Sequence, residues 1–303
     1  MNQHTLKKSY EFKGKGLHTG VLSTITICPA PENSGIRFQR TDLGEDAIVR
    51  AIASNVSDVS FNTTLEENGV KVVLVEHVLS AIAGLGIDNA LIKVDNIEVP
   101  VLDGSAKPYV DAIGADGLQE QDAPRRFFEV KEAFTYQDDR SDAWVRVEPC
   151  ERFEARLTID FNSSVVGVQT CGFTPEVDYC SQIAPCRTFC FFSQLEQLAA
   201  AGLVKGGDMD NAIVIVDREV DAASVERVAK LFNAGGIEVR QGYLSNVDLH
   251  FDNECARHKM LDLIGDFSLL GAPLKAKITA MKTGHRVNNA VARILLKQFT
   301  LNH

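Results

Sequence analysis

The order in which strand and helix patterns follow one another restricts the fold more than any other feature of the sequence. Residues 22–27, 36–39 and 48–53 are strand-like, and helical spacing of apolar residues first appears in residues 75–85. Strands that come before helices are typical of α+β sandwiches, whereas a doubly wound sheet alternates the two along the chain. The first part of the chain therefore predicts an α+β unit.

The same order repeats after a polar stretch that divides the chain. Residues 119–126 read QEQDAPRR, strand patterns resume directly after them, and helical spacing returns from residue 192 onward. A chain of 303 residues is long for one compact core and sufficient for two. We predict two domains, residues 1–122 and 123–303, each a two-layer sandwich of a mainly antiparallel β-sheet with helices.

Composition and charge exclude several classes of protein. No apolar run approaches the about 20 residues that a membrane helix needs, and residues 1–20 lack the apolar core of a secretory signal, so we expect a soluble intracellular protein. The net charge of −10 disfavours a nucleic-acid binder, which usually carries a basic surplus. The seven cysteines form no Cys-x-x-Cys pair, which is typical of reduced thiols in a reducing compartment.

His258 and Asp262 form the sharpest local pattern in the sequence. They are four residues apart on a predicted helix, so both side chains project from one face with Cβ atoms about 5–6 Å apart. A histidine paired with a carboxylate is a common arrangement of zinc ligands. Glu254 and Asp266 continue the same stripe, however, so an exposed helix face explains the pattern as well.

Glu76 and His77 interrupt an apolar run at residues 70–85. A metal hydrolase requires such a neighbour pair, because one residue can bind the metal ion and the other can act as general base for water. With His258 and Asp262, His77 would complete a set of two histidines and one carboxylate with an open position, drawn from both domains. A single histidine at the start of an apolar helix is more often a packed or surface residue.

Two turns are the remaining candidates for a site. Gly284 permits a sharp turn after a predicted strand, and His285 beside it could be protonated and stabilise an oxyanion, or could be a turn histidine in solvent. Residues 14–20 (GKGLHTG) lack the spacing of a P-loop or a dinucleotide fingerprint. We interpret them as a glycine-rich hairpin, and nucleotide hydrolysis is disfavoured.

Taken together, these and further motifs occur in one order along nearly the whole chain. They are GKGLHTG at 14–20, VEH at 75–77, AGLGIDN at 83–89, DGSA at 103–106, RTF at 187–189, GGDMDNA at 206–212, HKMLD at 258–262, GD at 265–266 and GH at 284–285. The series closely resembles the UDP-3-O-acyl-N-acetylglucosamine deacetylases, the zinc amidases of lipid A synthesis in Gram-negative bacteria. The resemblance implies a cytoplasmic enzyme with its active site between two α+β domains.

The resemblance also implies a reaction, a cofactor and its ligands. The reaction is hydrolysis of the 2-acetamido group of UDP-3-O-(3-hydroxyacyl)-N-acetylglucosamine to acetate and the free amine, an early committed step of lipid A synthesis. The cofactor is Zn²⁺, with His77, His258 and Asp262 as ligands. Glu76 is the general base, and His285 is the cationic partner of the tetrahedral intermediate.

Other residues receive roles from the same resemblance. Asp266 orients the cationic histidine, and Thr188 adds a hydroxyl group to the oxyanion site. On the substrate side, Lys259 and Lys282 face the diphosphate and Phe161 lies near the uracil.

An inserted helix and strand, about residues 190–217, would shield the acyl chain of the substrate. Burial of each CH₂ group contributes about 0.8 kcal/mol to the free energy of binding, so a soluble enzyme is expected to shield such a chain from water. The residues assigned to the acyl chain and its approach are Phe189, Phe191, Leu195, Ala212 and Val214. The alternative is that these are ordinary core residues of the second domain.

The sequence departs from the family pattern at four positions. Asn62 stands where some members carry a cysteine near the metal, and Cys186 replaces a usual alanine. Lys205 and Asp208 place charges where apolar or hydroxyl residues are frequent. None of the four is a proposed metal ligand.

Two alternative functions and one alternative metal remain at this stage. One alternative is a zinc amidase that acts on another N-acetyl sugar or on an acetylated peptide, and the other is a scaffold in which the histidines are structural. Two histidines and one carboxylate also suit iron(II). We expect a monomer with the UDP-sugar as its ligand, and some relatives carry a fused dehydratase domain after this region.

Overall fold

A computed structural model of the protein describes residues 1–200, 211–231, 236–245 and 248–301. The elements of its first half are β1 (Asn2–Leu6), β2 (Tyr10–Lys15), β3 (Leu22–Pro29), β4 (Ile36–Arg40), β5 (Ile48–Arg50), a 3₁₀ turn (Ala53–Asn55), β6 (Val56–Asp58), β7 (Thr64–Glu67), β8 (Val70–Val72), α1 (Glu76–Leu85), β9 (Ala90–Val94), α2 (Lys107–Gly114) and β10 (Leu118–Pro124). Strands precede the first helix, as the sequence predicts.

The second half repeats this order, again with strands first. Its described elements are β11 (Phe128–Glu129), β12 (Phe134–Gln137), β13 (Trp144–Pro149), β14 (Glu154–Asp160), β15 (Val168–Phe173), α3 (Tyr179–Gln182), β16 (Phe189–Phe191), α4 (Phe192–Ala200), β17 (Ile213–Ile215), α5 (Ala222–Leu231), β18 (Val239–Arg240), β19 (Tyr243–Leu244), α6 (Glu254–Ser268), β20 (Leu274–Met281) and α7 (His285–Leu301).

Each half is built on one larger sheet with mostly antiparallel neighbours. The five-stranded sheet of the first half has the order β2-β3-β9-β4-β5, in which only β4 and β9 are parallel. The second half has a six-stranded sheet with the main order β12-β13-β20-β14-β15, in which β20 is parallel to β14 and β11. Side chains alternate across β3, where Ile25 and Ile27 are buried and Thr24 and Thr26, which alternate with them, are half-buried. The predicted α+β fold is confirmed.

Helices α1 and α6 pack against each other and join the two halves. Val78, Leu79 and Ile82 give α1 a buried face at helical spacing, and the helix ends at Gly86, whose φ of 79° is the left-handed conformation that glycine adopts without strain. Gly265 lies in the last turn of α6, where a Cβ atom would overlap the carbonyl oxygen of Glu76. The small residue therefore permits the close approach of α6 to the first turn of α1.

The hydrophobic core is continuous across the two halves. One buried cluster contains Ile25 and Phe38 from the first sheet, Leu261 from α6 and Ile278 from the second sheet. A separate cluster lies under the inserted segment, and its members are Phe192, Leu195, Val214, Val216, Val225, Val228 and Leu244. No described helix has both the length and the apolar content that crossing a membrane requires.

The polar stretch at residues 119–126 is structured rather than a loose linker over most of its length. β10 (Leu118–Pro124) pairs with β1 in an antiparallel two-stranded sheet, with Leu6 opposite Leu118. Most side chains of β10 are exposed or half-buried, which explains their polarity. The division into domains at residues 1–122 and 123–303 stays our proposal.

Candidate metal centre

Three buried side chains from α1 and α6 form a compact group with the chemistry of metal ligands. Nε2 of His258 lies 3.4 Å from Oδ1 of Asp262, and Nε2 of His77 lies 3.8 Å from the same oxygen. One ligand atom from each residue can be chosen so that all three lie within 4.8 Å of one another. The structure thus brings together the two histidines and the carboxylate that the sequence singles out.

The helices explain why these side chains converge. His258 and Asp262 lie one turn apart on the face of α6 that meets α1. His77 is the second residue of α1 and lies three residues after Leu74, whose φ of 63° redirects the chain through the left-handed region at a cost of about 1–2 kcal/mol. The close approach at Gly265 sets the distance between the two helices at this point.

Both histidines are in the state that a metal ion requires. Nδ1 of His258 lies 3.0 Å from the carbonyl oxygen of Cys186, which can only accept a hydrogen bond, so Nδ1 carries the proton and Nε2 keeps its lone pair. Burial and the neighbouring His258 lower the pKa of His77 to about 3, and burial likewise lowers the pKa of His258. Neutral imidazoles are the form that binds a metal ion.

Asp262 supplies the third candidate ligand atom. Its Oδ2 accepts a hydrogen bond from Nζ of Lys259 (2.8 Å), whereas its Oδ1 is buried and has no hydrogen-bond partner among the described residues. Burial would raise the pKa of Asp262, but Lys259 and His258 lower it well below its usual range, so the group is a carboxylate. A buried carboxylate oxygen without a partner is costly unless a cation binds it. Two nitrogens and one oxygen fit zinc, and they also fit iron(II).

Glu76 lies beside this cluster and is suited to take up a proton. Its side chain is 2% exposed, and Oε2 accepts a hydrogen bond from the backbone N–H of Thr63 (2.9 Å). Burial raises the pKa of Glu76 to about 7, although the imidazole of His285 opposes the rise. The pKa of a general base that works near neutral pH lies in this range.

His285, the first residue of α7, also lies beside the cluster, close to Glu76. Its Nε2 is 3.8 Å from Oδ2 of Asp262, and its Nδ1 is 3.0 Å from Oδ2 of Asp266. Burial by itself would lower the pKa of His285, but the carboxylates of Asp266 and Asp262 reverse this and raise it to about 9. The imidazole is therefore a cation at neutral pH, as the oxyanion role requires.

Two residues that the sequence did not identify hold Asp266 in place. The hydroxyl group of Thr63 donates to Oδ1 of Asp266 (2.7 Å), and Nδ2 of Asn288 donates to Oδ2 (2.8 Å). Asn288 follows His285 by one helical turn, a spacing that a search along α7 could have used. Thr63 has no comparable signal, because its partner Asp266 is 203 residues away.

Three phenylalanines predicted to contact substrate form an aromatic surface, and one of them, Phe189, lies next to His258 of the metal-ligand group. The ring of Phe189 is 6.1 Å from that of His258 and 5.5 Å from that of Phe161, and Phe161 is 5.7 Å from Phe191. Phe161 is 39% exposed, so this aromatic surface is open to solvent. Thr188 directly precedes Phe189, and its backbone N–H donates to the carbonyl of Gly104 (2.8 Å).

The two lysines predicted on the diphosphate side are held by carboxylates. Nζ of Lys259 pairs with Asp262 and lies 5.5 Å from the ring centroid of Phe189. Nζ of Lys282 lies 2.8 Å from Asp142 and 3.1 Å from Asp160. Their contact with a diphosphate stays a prediction.

The residues assigned to the acyl chain occupy two environments. Leu195 and Val214 are buried in the hydrophobic cluster under the inserted segment, which is the arrangement expected of core residues. Ala212, two residues before Val214, is half-buried. Whether an acyl chain lies against this segment stays a prediction.

The four departures from the family pattern fall in different places. Asn62 is buried, and its Oδ1 accepts a hydrogen bond from the hydroxyl group of Thr64 (2.8 Å). Cys186 is buried and contributes the carbonyl oxygen that orients His258. Lys205 and Asp208 lie outside the described residues.

Comparison with known proteins gives an independent view of this arrangement. Residues 3–297 match the family LpxC, described as UDP-3-O-acyl N-acetylglycosamine deacetylase. The chain is 40% identical to the bifunctional enzyme LpxC/FabZ of Bacteroides thetaiotaomicron over 303 residues, which cover 100% of this chain and 66% of that protein. It is 39% identical to the UDP-3-O-acyl-N-acetylglucosamine deacetylase of Saccharophagus degradans over 302 residues, which cover 98% of this chain and 91% of that protein.

The lengths of these relatives differ. The chain spans slightly less than two thirds of the bifunctional relatives, including that of Porphyromonas gingivalis (40% identity, 65% of its length). Their name confirms the expectation that some relatives combine this region with a second activity. Because the family match extends over residues 3–297, the chain belongs to the LpxC family of UDP-3-O-acyl N-acetylglycosamine deacetylases.

Proposed function

We propose that the protein is a zinc-dependent deacetylase of lipid A synthesis that acts in the cytoplasm of a Gram-negative bacterium. Its substrate would be UDP-3-O-(3-hydroxyacyl)-N-acetylglucosamine, whose 2-acetamido group is hydrolysed to acetate and the free amine. The observation that carries this proposal is the buried group of His77, His258 and Asp262, with one unsatisfied carboxylate oxygen, next to the facing side chains of Glu76 and His285. Membership of the LpxC family supports the choice of substrate.

A divalent metal ion held by the two histidines and Asp262 would polarise the amide carbonyl and lower the pKa of a water molecule toward about 7. In the reaction, a C–O bond would form between a water molecule and the amide carbon, and the C–N bond would break. Glu76 takes the proton from the attacking water, because its burial makes the carboxylate more basic than a carboxylate in solvent. The proton is then delivered to the leaving nitrogen.

His285 acts on the oxygen of the amide. Its imidazolium is held by Asp266 through Nδ1, which leaves Nε2–H free to donate to the developing oxyanion. Thr188, one residue before the aromatic surface, would add a second donor. Removal of one such donor typically lowers turnover by about 10²–10³-fold.

The aromatic surface and the lysines would bind the rest of the substrate. We propose that Phe161 contacts the uracil, that Lys259 and Lys282 face the diphosphate, and that the segment at about residues 190–217 contacts the acyl chain. A bound diphosphate would then compete with Asp142 and Asp160 for Lys282. We also propose that the protein acts as a monomer.

The direct test is release of acetate from UDP-3-O-acyl-N-acetylglucosamine by purified, metal-analysed protein. We expect one zinc ion per chain, loss of activity on chelation and recovery on addition of substoichiometric zinc. UDP-N-acetylglucosamine without the acyl chain should be a far poorer substrate. Equal rates with both sugars would favour an amidase of broader specificity, and full activity without metal would overturn the proposal.

A further inference from the structure

We infer that Thr63 is a positioning residue that fixes the general base Glu76 and the His285–Asp266 pair relative to each other. The inference rests on the proposed hydrolysis and deepens it. Thr63 lies directly before β7 and is 1% exposed. Its N–H, carbonyl and hydroxyl groups reach three different helices, α1, α6 and α7, and each helix carries residues of the site.

The main chain of Thr63 fixes the start of α1. Its carbonyl oxygen accepts a hydrogen bond from the N–H of Val75 (3.2 Å), and its N–H donates to Oε2 of Glu76 (2.9 Å). The carboxylate of Glu76 is thus held through one oxygen, while Oε1 is directed toward His285. A backbone donor of this kind cannot rotate away, so it fixes the direction of the base.

The hydroxyl group of Thr63 forms a closed ring of contacts with the imidazole of His285 and the carboxylate of Asp266. Oγ1 donates its single proton to Oδ1 of Asp266 (2.7 Å) and lies 3.2 Å from Nδ1 of His285. With that proton committed, Oγ1 offers a lone pair to Nδ1–H, which also points to Oδ2 of Asp266 (3.0 Å). The ring of three side chains fixes the plane of the imidazole.

The consequence concerns the free nitrogen of His285. With Nδ1 held from two sides, Nε2 faces the space between Glu76 (3.9 Å) and Asp262 (3.8 Å). Thr63 contacts both Glu76 and the His285–Asp266 pair, so it links their positions. A displacement of about 1 Å in such an arrangement can lower the rate by about 10²-fold.

The test uses Thr63→Val, which removes the hydroxyl group and preserves the size, the N–H and the carbonyl of the residue. We expect kcat to fall by about 10–100-fold, while KM and the metal content stay near the wild-type values. Thr63→Ser keeps the hydroxyl group and is expected to restore kcat to within about threefold of the wild type. A wild-type kcat in Thr63→Val would overturn the inference.

Thr64→Val is the matched control. Thr64 is adjacent, 3% exposed and of the same type, but its hydroxyl group donates to Asn62 rather than to the site. We expect its kcat to stay near the wild-type value. An equal loss of kcat in both valine variants would show a general effect of packing and would contradict the positioning role.

A spectroscopic readout separates this inference from the proposed function. The Nδ1–H proton signal of His285 reports its hydrogen bonds without any substrate. Thr63→Val is expected to shift or broaden that signal, and Thr64→Val is expected to leave it in place. If the wild type released no acetate, the proposed function would fail, and an unchanged His285 signal in Thr63→Val would still be needed to overturn the inference.

Discussion

Nε2 of His285 lies 3.9 Å from Oε1 of Glu76, so an imidazole and a carboxylate face each other beside the metal-ligand group. Burial raises the pKa of Glu76 to about 7, and Asp266 and Asp262 outweigh burial to raise the pKa of His285 to about 9. Between these values the carboxylate is ionised and the imidazole is charged. The pair is therefore ready for both proton transfer and oxyanion stabilisation in one range of pH.

We expect a bell-shaped dependence of kcat/KM on pH. Glu76 must be ionised, so activity falls as the pH drops through its pKa. A bound cation lowers the pKa of Glu76, and the acidic limb is therefore expected below pH 7. His285 must be protonated, so activity falls as the pH rises through its pKa, which is about 9 without the cation and is lowered by it. Asp266→Asn removes a charge that raises this pKa, and the alkaline limb should move to lower pH. Steady-state rates would measure both limbs.

The control for this profile is Asp111→Asn, which changes the same functional group on the exposed face of α2. Its alkaline limb should coincide with that of the wild type. A profile that stayed flat from about pH 5 to pH 9 would contradict the assignment of Glu76 and His285.

Glu76→Ala and His77→Ala are expected to differ in metal content. Glu76→Ala removes a base but no ligand, so it should keep the metal ion and lose about 10²–10⁴-fold in turnover. His77→Ala should lose the metal ion as well as the activity, because one of three ligands is removed. Elemental analysis together with acetate release measures both quantities. Loss of the metal ion in Glu76→Ala alone would reverse the two roles.

Gly265→Ala should separate α1 from α6. The added Cβ overlaps the carbonyl oxygen of Glu76, and such overpacking typically lowers the free energy of unfolding by about 1–3 kcal/mol. Gly114→Ala at the end of α2 is the control, because its Cβ would meet nothing and the change should be neutral or stabilising by about 0.4–1 kcal/mol. Urea unfolding compares the two variants. Equal stability of both would show that the close helix contact is not a constraint.

Ala212→Trp is expected to impair only substrates with a long acyl chain. Ala212 is half-buried next to the strand β17, so a larger side chain there should lower kcat/KM for the 3-O-acylated sugar by at least about tenfold. The rate with the sugar that lacks the acyl chain should not change. Val214→Trp is less informative, because Val214 is buried in a hydrophobic cluster and the substitution would disturb packing. A uniform loss for both sugars in Ala212→Trp would indicate a packing defect.

The parts of the fold that the sequence predicted are those with periodic burial. The helical spacing at residues 75–85 corresponds to α1 (Glu76–Leu85), whose apolar residues Val78, Leu79 and Ile82 are buried in the core. β10 (Leu118–Pro124) could not be recognised, because it pairs only with β1 and leaves most of its side chains outside the core. A polar strand of this kind has no hydrophobic pattern to detect.

In the site, too, contacts between residues close in sequence could be predicted and contacts between distant residues could not. His258 and Asp262 are one turn apart on α6, so their convergence follows from helix geometry. The partners of Thr63, in contrast, are 203 and 222 residues away, at Asp266 and His285. Only the packing of α6 and α7 against the start of β7 brings these groups together, and no local pattern encodes it.

The origin of the metal ligands in both halves of the chain has a consequence for biosynthesis. Translation delivers His77 early and His258 and Asp262 much later, because α1 and α6 belong to opposite parts of the sequence. A nascent or truncated chain that ends before α6 offers one of the three ligands and cannot retain the ion. If these residues bind a metal ion as we propose, its capture would show that synthesis has passed α6 and that the two halves have docked.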